Sequence, residues 1–152
     1  IDDAARFLKK KNKRLNAIPA ADVRESAKAF RQIVNDATSG DAVWVISDSG
    51  LVDTASLDSI LNSAWDKKLA VFSSNPAFTK RGALFAIYPD NVGIGRSLAR
   101  LVTDVTSNKV PAGKLEYLKD VKLAFNERTG NHIGVKLSNE MRNNIELIRP
   151  EF

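Results

Sequence analysis

Three short apolar runs, each ending in small polar residues, constrain this chain more than any other feature. Ala42–Ile46 runs into Ser47-Asp48-Ser49, Leu69–Phe72 into Ser73-Ser74-Asn75, and Ala83–Tyr88 into Pro89-Asp90-Asn91. Runs that are apolar on both alternating faces read as buried strands. Amphipathic stretches surround them. Asp22 caps a helix to about Thr38, with Glu25 completing a capping box and Val23, Ala27, Phe30, Ile33 and Val34 as its stripe. A second helix spans about Thr54–Lys67 and turns Leu57, Ile60, Leu61, Ala64 and Trp65 inward. A third spans about Asn91–Ser107, with Leu98, Leu101, Val102 and Val105 as its stripe. Strands alternating with helices predict an α/β fold, a mostly parallel sheet flanked by helices on both faces. In such a sheet the strand exits share one edge, and that edge is where ligands bind.

The remaining elements emerge from the same patterning. Residues 2–12 read as a helix, Leu15–Ile18 as a short strand closed by Pro19, and Pro76–Arg81 as a turn. Val121–Phe125 reads as a strand, Asn126–Ile133 as a glycine-interrupted helical segment, and Ser138 as the cap of a last helix toward Ile148. A helix at residues 2–12 normally comes after a strand, so the pattern predicts a strand upstream of Ile1. A chain that starts at Ile1 rather than Met points the same way.

At 152 residues the chain is long enough for one well-packed domain. Its charge of +5 is concentrated at one end: Arg6, Lys9, Lys10, Lys11, Lys13 and Arg14 against Asp2 and Asp3 give +4. That cluster contains Phe7 as its one aromatic, so it lacks a stacking platform and reads as a solvated face rather than a nucleic-acid site. Cysteine is absent, which removes disulfides, thiolate metal ligands and thiol nucleophiles. No apolar run approaches the length that crosses a bilayer, and no signal peptide is visible.

Ser47-Asp48-Ser49-Gly50 reads either as a ligand loop or as a polar turn, with Asp53 or Thr54 capping the next helix. Ser73, Ser74 and Asn75 offer hydroxyl and amide groups that donate and accept, which suits neutral or zwitterionic ligands. The other reading is simple capping at Pro76. Tyr88 with Asp90 and Asn91 places an aromatic and a carboxylate together at a strand exit, beyond what helix capping needs. Gly93-Ile94-Gly95-Arg96 lacks the third glycine of a dinucleotide loop and sits inside a helix, so close packing explains it. His132, the one histidine, has no Cys and no suitably spaced carboxylate to form a metal site. Ser47 or its neighbours have no nucleophile-elbow context, and no catalytic set or cofactor loop emerges. Trp44 and Trp65 read as core.

From Ala42 onward the chain resembles the ABC-transporter substrate-binding proteins of the type I periplasmic-binding fold, in the subgroup of tryptophan and tyrosine binders. Leu69–Phe72 resembles a strand ending in "P-V-F", and Arg81–Leu84 an "x-G-A-L" strand start. Tyr88–Arg96 resembles "D-Y-Y-x-L-G-R", Ser107–Ala112 "K-G-x-K-P-A", and Lys122–Asn126 "L-V-V-N". Gly134-Val135 followed by Leu137 resembles the closing "G-I-x-I-P". Pro89 stands where the family often has an aromatic or Val, and Gly130 where Ala is usual.

The resemblance implies an extracytoplasmic solute-binding protein of an ABC importer, periplasmic or membrane-anchored. It would hold a small polar solute such as an amino acid between two lobes and deliver it to a membrane permease, without catalysis or cofactor. A ligand-sensing domain of a membrane signalling protein is the alternative. Residues 1–152 would be the C-terminal lobe, a type I periplasmic-binding-protein lobe lacking its opening strand. Crossovers would fall near Pro89 and Glu116–Lys119, with helix 91–107 packing on the absent first lobe or, uncovered, driving self-association. By position, Asp48, Ser49, Ser73, Ser74, Asn75, Asp90 and Asn91 match places where members line the cleft, and Asp90 sits at a hinge.

Overall fold

Five strands form one sheet in the order β1 (Ala42–Val45), β2 (Ala70–Ser73), β3 (Phe85–Pro89), β4 (Val121–Asn126) and β5 (Leu147–Arg149). The structure is a computed structural model that describes residues 1–48, 50–111, 113, 117 and 119–150. The first three strands are parallel, β4 is antiparallel to β3, and β5 is parallel to β4. The predicted α/β fold with a mostly parallel sheet is therefore present. The reversal at β4 has a simple cause. Helix α5 (Asn91–Thr106) leaves from the end of β3, and the chain returns beside its own departure point: Asp90 N donates to Asp120 O at 2.9 Å. A strand that starts where its neighbour ends must run backwards.

The core lies on one face of the sheet. Val43, Val45 and Val71 meet Leu57, Ile60, Leu61 and Ala64 of α3 (Thr54–Asp66) and Val34 of α2 (Val23–Asp36), all less than a tenth exposed. Each valine, leucine or isoleucine side chain removed from water contributes about 1.5–3 kcal/mol before entropy is counted. Both helices start as their sequences direct. Asp22 accepts from Glu25 N while the Glu25 carboxylate accepts from Ala21 N, and Asp53 accepts from Ser56 N. Lys67 Nζ donates to the Val34 and Asn35 carbonyls, closing the C-terminal end of α2.

The opposite face carries a row of rings at one register level. Trp44 stacks on Phe72 at 5.7 Å between centroids, and Phe72 on Phe85 at 5.0 Å. Trp44 is 41% exposed, so its reading as core is corrected: β1 is an edge strand, and its alternate residues face outward.

Asn126 ties the end of β4 to two helices. Its Oδ1 caps α6 (Glu127–Ile133) by accepting from Thr129 N, while its Nδ2 donates to Thr79 O at 2.7 Å. Thr79 belongs to α4 (Ala77–Arg81), a short helix where a turn is expected. Helix α6 ends in a Schellman motif, with Val135 N bonded to Gly130 O, Gly134 N to Asn131 O, and Gly134 at φ 82°. Gly130 lies where a Cβ would stand 2.7 Å from Val135 O and 2.8 Å from the Phe125 ring, which accounts for glycine at that position.

Three other expectations change. Leu15–Ile18 is not a strand; among the described residues it pairs with no strand of the sheet. The first helix, α1, stops at Asp2–Lys9 and buries no residue. The final helix, α7, is only Asn139–Asn143, and the segment toward Ile148 becomes β5, pairing with Ala124–Asn126.

Candidate functional site

Register decides which residues meet at the strand exits. Val45, Ser73 and Ala86 stand level across β1, β2 and β3. The residues after them therefore emerge on one rim. An open cavity of about 440 Å³ lies there, lined by Ser47, Ser74, Asn75, Pro76, Tyr88, Pro89 and Asn91. Four of the expected site residues, Ser74, Asn75, Tyr88 and Asn91, come together in it. Ser47, Pro76 and Pro89 join them; the strand-exit rule that singles out Asp48 applies equally to Ser47.

The others stand differently. Asp48 is exposed, and its Oδ1 accepts from Gly50 N at 2.8 Å, folding its own turn. Ser73 is 3% exposed, because it alternates in phase with Val71 and points into the core; its hydroxyl accepts from Asn75 N. Asp90 caps α5 by accepting from Val92 N at 3.2 Å, and it does not line the cavity. Ser49 lies outside the described residues.

Gly93, the one buried residue of α5, receives this cap. A Cβ there would stand 2.8 Å from Asp90 Oδ2 and 3.0 Å from Asp120 Cβ. The close packing expected of the glycine pair is thus side chain against helix backbone at Gly93, while Gly95 faces open space. The second crossover, expected over Glu116–Lys119, falls partly outside the described residues, but Asp120 marks where the chain returns.

The antiparallel β4 adds charge that the strand pattern does not announce. Lys122 stands opposite Tyr88 and donates to Glu146 at 2.7 Å. That hydrogen bond holds the Lys122 ammonium above the usual lysine range, with smaller contributions from the Glu146, Asp90 and Tyr88 charges.

His132 sits away from the rim. Its ring lies flat on Trp65 at 3.7 Å, its Nε2 donates to the Trp65 carbonyl, and Arg128 lies 5.4 Å from the same indole. These contacts bolt α6 to α3 and leave the imidazole a packing role. Among the described residues no group of three His, Asp or Glu side chains is placed to hold a metal ion, and no helix is long and apolar enough to cross a membrane. The rim can hold a small molecule through hydroxyl, amide and phenol groups.

Strand exits that converge on one open polar rim define the ligand-binding edge of an open α/β sheet. A family model described as "ABC transporter substrate binding protein" matches residues 3–146, and the chain belongs to that family. Solved structures share the fold. A conserved domain protein from Vibrio cholerae O1 biovar El Tor is 19% identical with a TM-score of 0.62, over 97% of this chain and 50% of that one. An ABC domain in complex with L-Trp from Streptococcus pneumonia is 15% identical with a TM-score of 0.63, over 97% and 50%. A ligand-free, open substrate-binding protein with adhesive properties from Clostridium difficile is 14% identical with a TM-score of 0.66, over 99% and 49%. The chain spans about half the length of these structures. No curated protein matches it.

Proposed function

We propose that this chain is the C-terminal lobe of an extracytoplasmic solute-binding component of an ABC importer, and that its rim forms one wall of a two-lobe cleft for a small polar solute such as an amino acid. The rim cavity carries the reading: it brings Ser74, Asn75, Tyr88 and Asn91 from successive exits to one place. The half-length match to solved relatives supports a second lobe. So does α5, whose Leu98 and Val102, one turn apart, are 52% and 62% exposed, an apolar stripe with room for a partner lobe. A solute that touches both walls favours the closed state in proportion to its extra contacts there. The closed form is what a permease reads. Asp90 and Asp120, bonded side by side at the departure and return of α5, form the hinge crossing.

The test is calorimetric titration of the full-length natural protein with the twenty amino acids. One or more binds, and Tyr88→Ala and Asn91→Ala each weaken that binding while leaving the melting temperature within about 2 °C, as for surface changes in a domain of this size. Unchanged affinity in both variants refutes the rim as the site.

A further inference from the structure

We propose that the solute presents an uncharged or cationic group to this rim, never a carboxylate, so that the acidic end of a zwitterionic solute faces the opposite wall. The inference rests on the function proposed above and names the polarity of the bound molecule.

Two separate observations carry it. The first concerns helix starts. At strand exits an anion is ordinarily held by the free N–H groups of the next helix. Here one N–H of each such start is already taken by a side chain of the same chain. Asp53 accepts from Ser56 N at α3, Asn75 from Ala77 N at α4, and Asp90 from Val92 N at α5. Two of those three caps are carboxylates, so they add negative charge where an incoming anion would need positive charge.

The second concerns side chains. The chain as a whole is basic, at +5. Yet none of the seven cavity-lining residues is charged. Asp90 and Asp120 lie against the first turn of α5, next to Asn91, while Lys122, the cation that β4 brings to this edge, is paired with Glu146. The field at the rim therefore repels a carboxylate and attracts an ammonium. Ser47, Ser74, Asn75, Tyr88 and Asn91 supply acceptors for ammonium or hydroxyl hydrogens.

The experiment uses the full-length natural protein and variants at Asn91, an exposed first-turn residue of α5 that lines the cavity. Probes are L-tryptophan, tryptamine and indole-3-propionate, measured by calorimetry at low salt. Expected is that Asn91→Lys weakens L-tryptophan about tenfold or more, while Asn91→Asp retains or tightens it. A merely structural role for Asn91 does not produce opposite signs for the two charges. Tighter binding of L-tryptophan or indole-3-propionate by Asn91→Lys, with loss in Asn91→Asp, overturns the proposal and leaves the solute-binding reading standing. Equal affinity in wild type and both variants overturns the proposal together with the rim as a site. Wild-type protein that binds none of the probes, nor any amino acid in the preceding titration, overturns the amino-acid reading and this proposal with it.

Discussion

Replacing Gly130 by alanine tests the packing of the lobe at its tightest point. The new methyl would lie 2.7 Å from the Val135 carbonyl oxygen and 2.8 Å from Phe125 Cζ. Neither neighbour can move freely. Val135 is fixed to Gly130 by its own N–H, and Phe125 is 5% exposed between β3 and β5. Overpacking of this kind costs about 1–3 kcal/mol. Alanine recovers up to about 1 kcal/mol of helix propensity. With both neighbours pinned, the overpacking cost falls in the upper part of its range, about 2–3 kcal/mol, so a net loss of about 1–2 kcal/mol is expected, a fall in melting temperature of roughly 2–8 °C for a domain of this size. Gly95→Ala is the paired control: it is exposed, mid-helix and has nothing near its Cβ position, so it stabilises by about 0.5–1 kcal/mol. The assay is thermal denaturation by circular dichroism of both variants beside the parent chain. A Gly130→Ala protein as stable as the parent, or a common sign for both variants, refutes the reasoning.

Asn126→Leu removes the donor to the buried Thr79 carbonyl and the cap on α6, so urea denaturation should show a loss of about 1–3 kcal/mol or more, whereas an unchanged midpoint means the bonds carry little. The Asp53 carboxyl is held below the usual carboxylate range by its bonds to Ser56, and Asp41 by its bonds to Thr38. Their stabilisation is present above the ordinary carboxylate value and is lost as pH falls through the lowered one. Asp53→Asn keeps the cap but cannot titrate, so its acid melting curve should be flatter than wild type below about pH 4; identical slopes contradict the assignment. Lys122 runs the other way: raised by Glu146, its contribution holds below the ordinary lysine value and fades as pH rises through the higher one, and Glu146→Gln should remove that alkaline step. The isolated chain should associate through the uncovered α5 stripe, with light scattering showing dimers or larger that Leu98→Lys with Val102→Lys abolishes; a monomer at high concentration refutes this.

Most of the sheet is legible in the sequence because its strands are buried. Ala42–Ile46, Leu69–Phe72 and Ala83–Tyr88 are apolar on both faces and too short for a helix that buries all its sides. β5 is not legible. Three residues before a proline carry no period, and pairing with β4 alone makes them a strand. Leu15–Ile18 fails for the converse reason, since a strand-like composition needs a neighbour. The direction of β4 is hidden in the route of α5, a long-range matter that no local window reports. At the rim, Ser74, Asn75, Tyr88 and Asn91 are legible as strand exits. Ser73 is misplaced by that rule although its phase with Val71 gives it away, and Lys122 with Glu146 reaches the rim only through the antiparallel turn-back.

The stacked rings of Trp44, Phe72 and Phe85 act as a three-tooth ratchet between neighbouring strands. A slip of one tooth would send bulky rings toward α3, where Val43, Val45 and Val71 now pack, and so is rejected. Because the ratchet sits just below the mouth, it also sets the height at which Ser47, Ser74 and Tyr88 surface. A substitution among those rings would thus shift the rim without touching any residue that lines it.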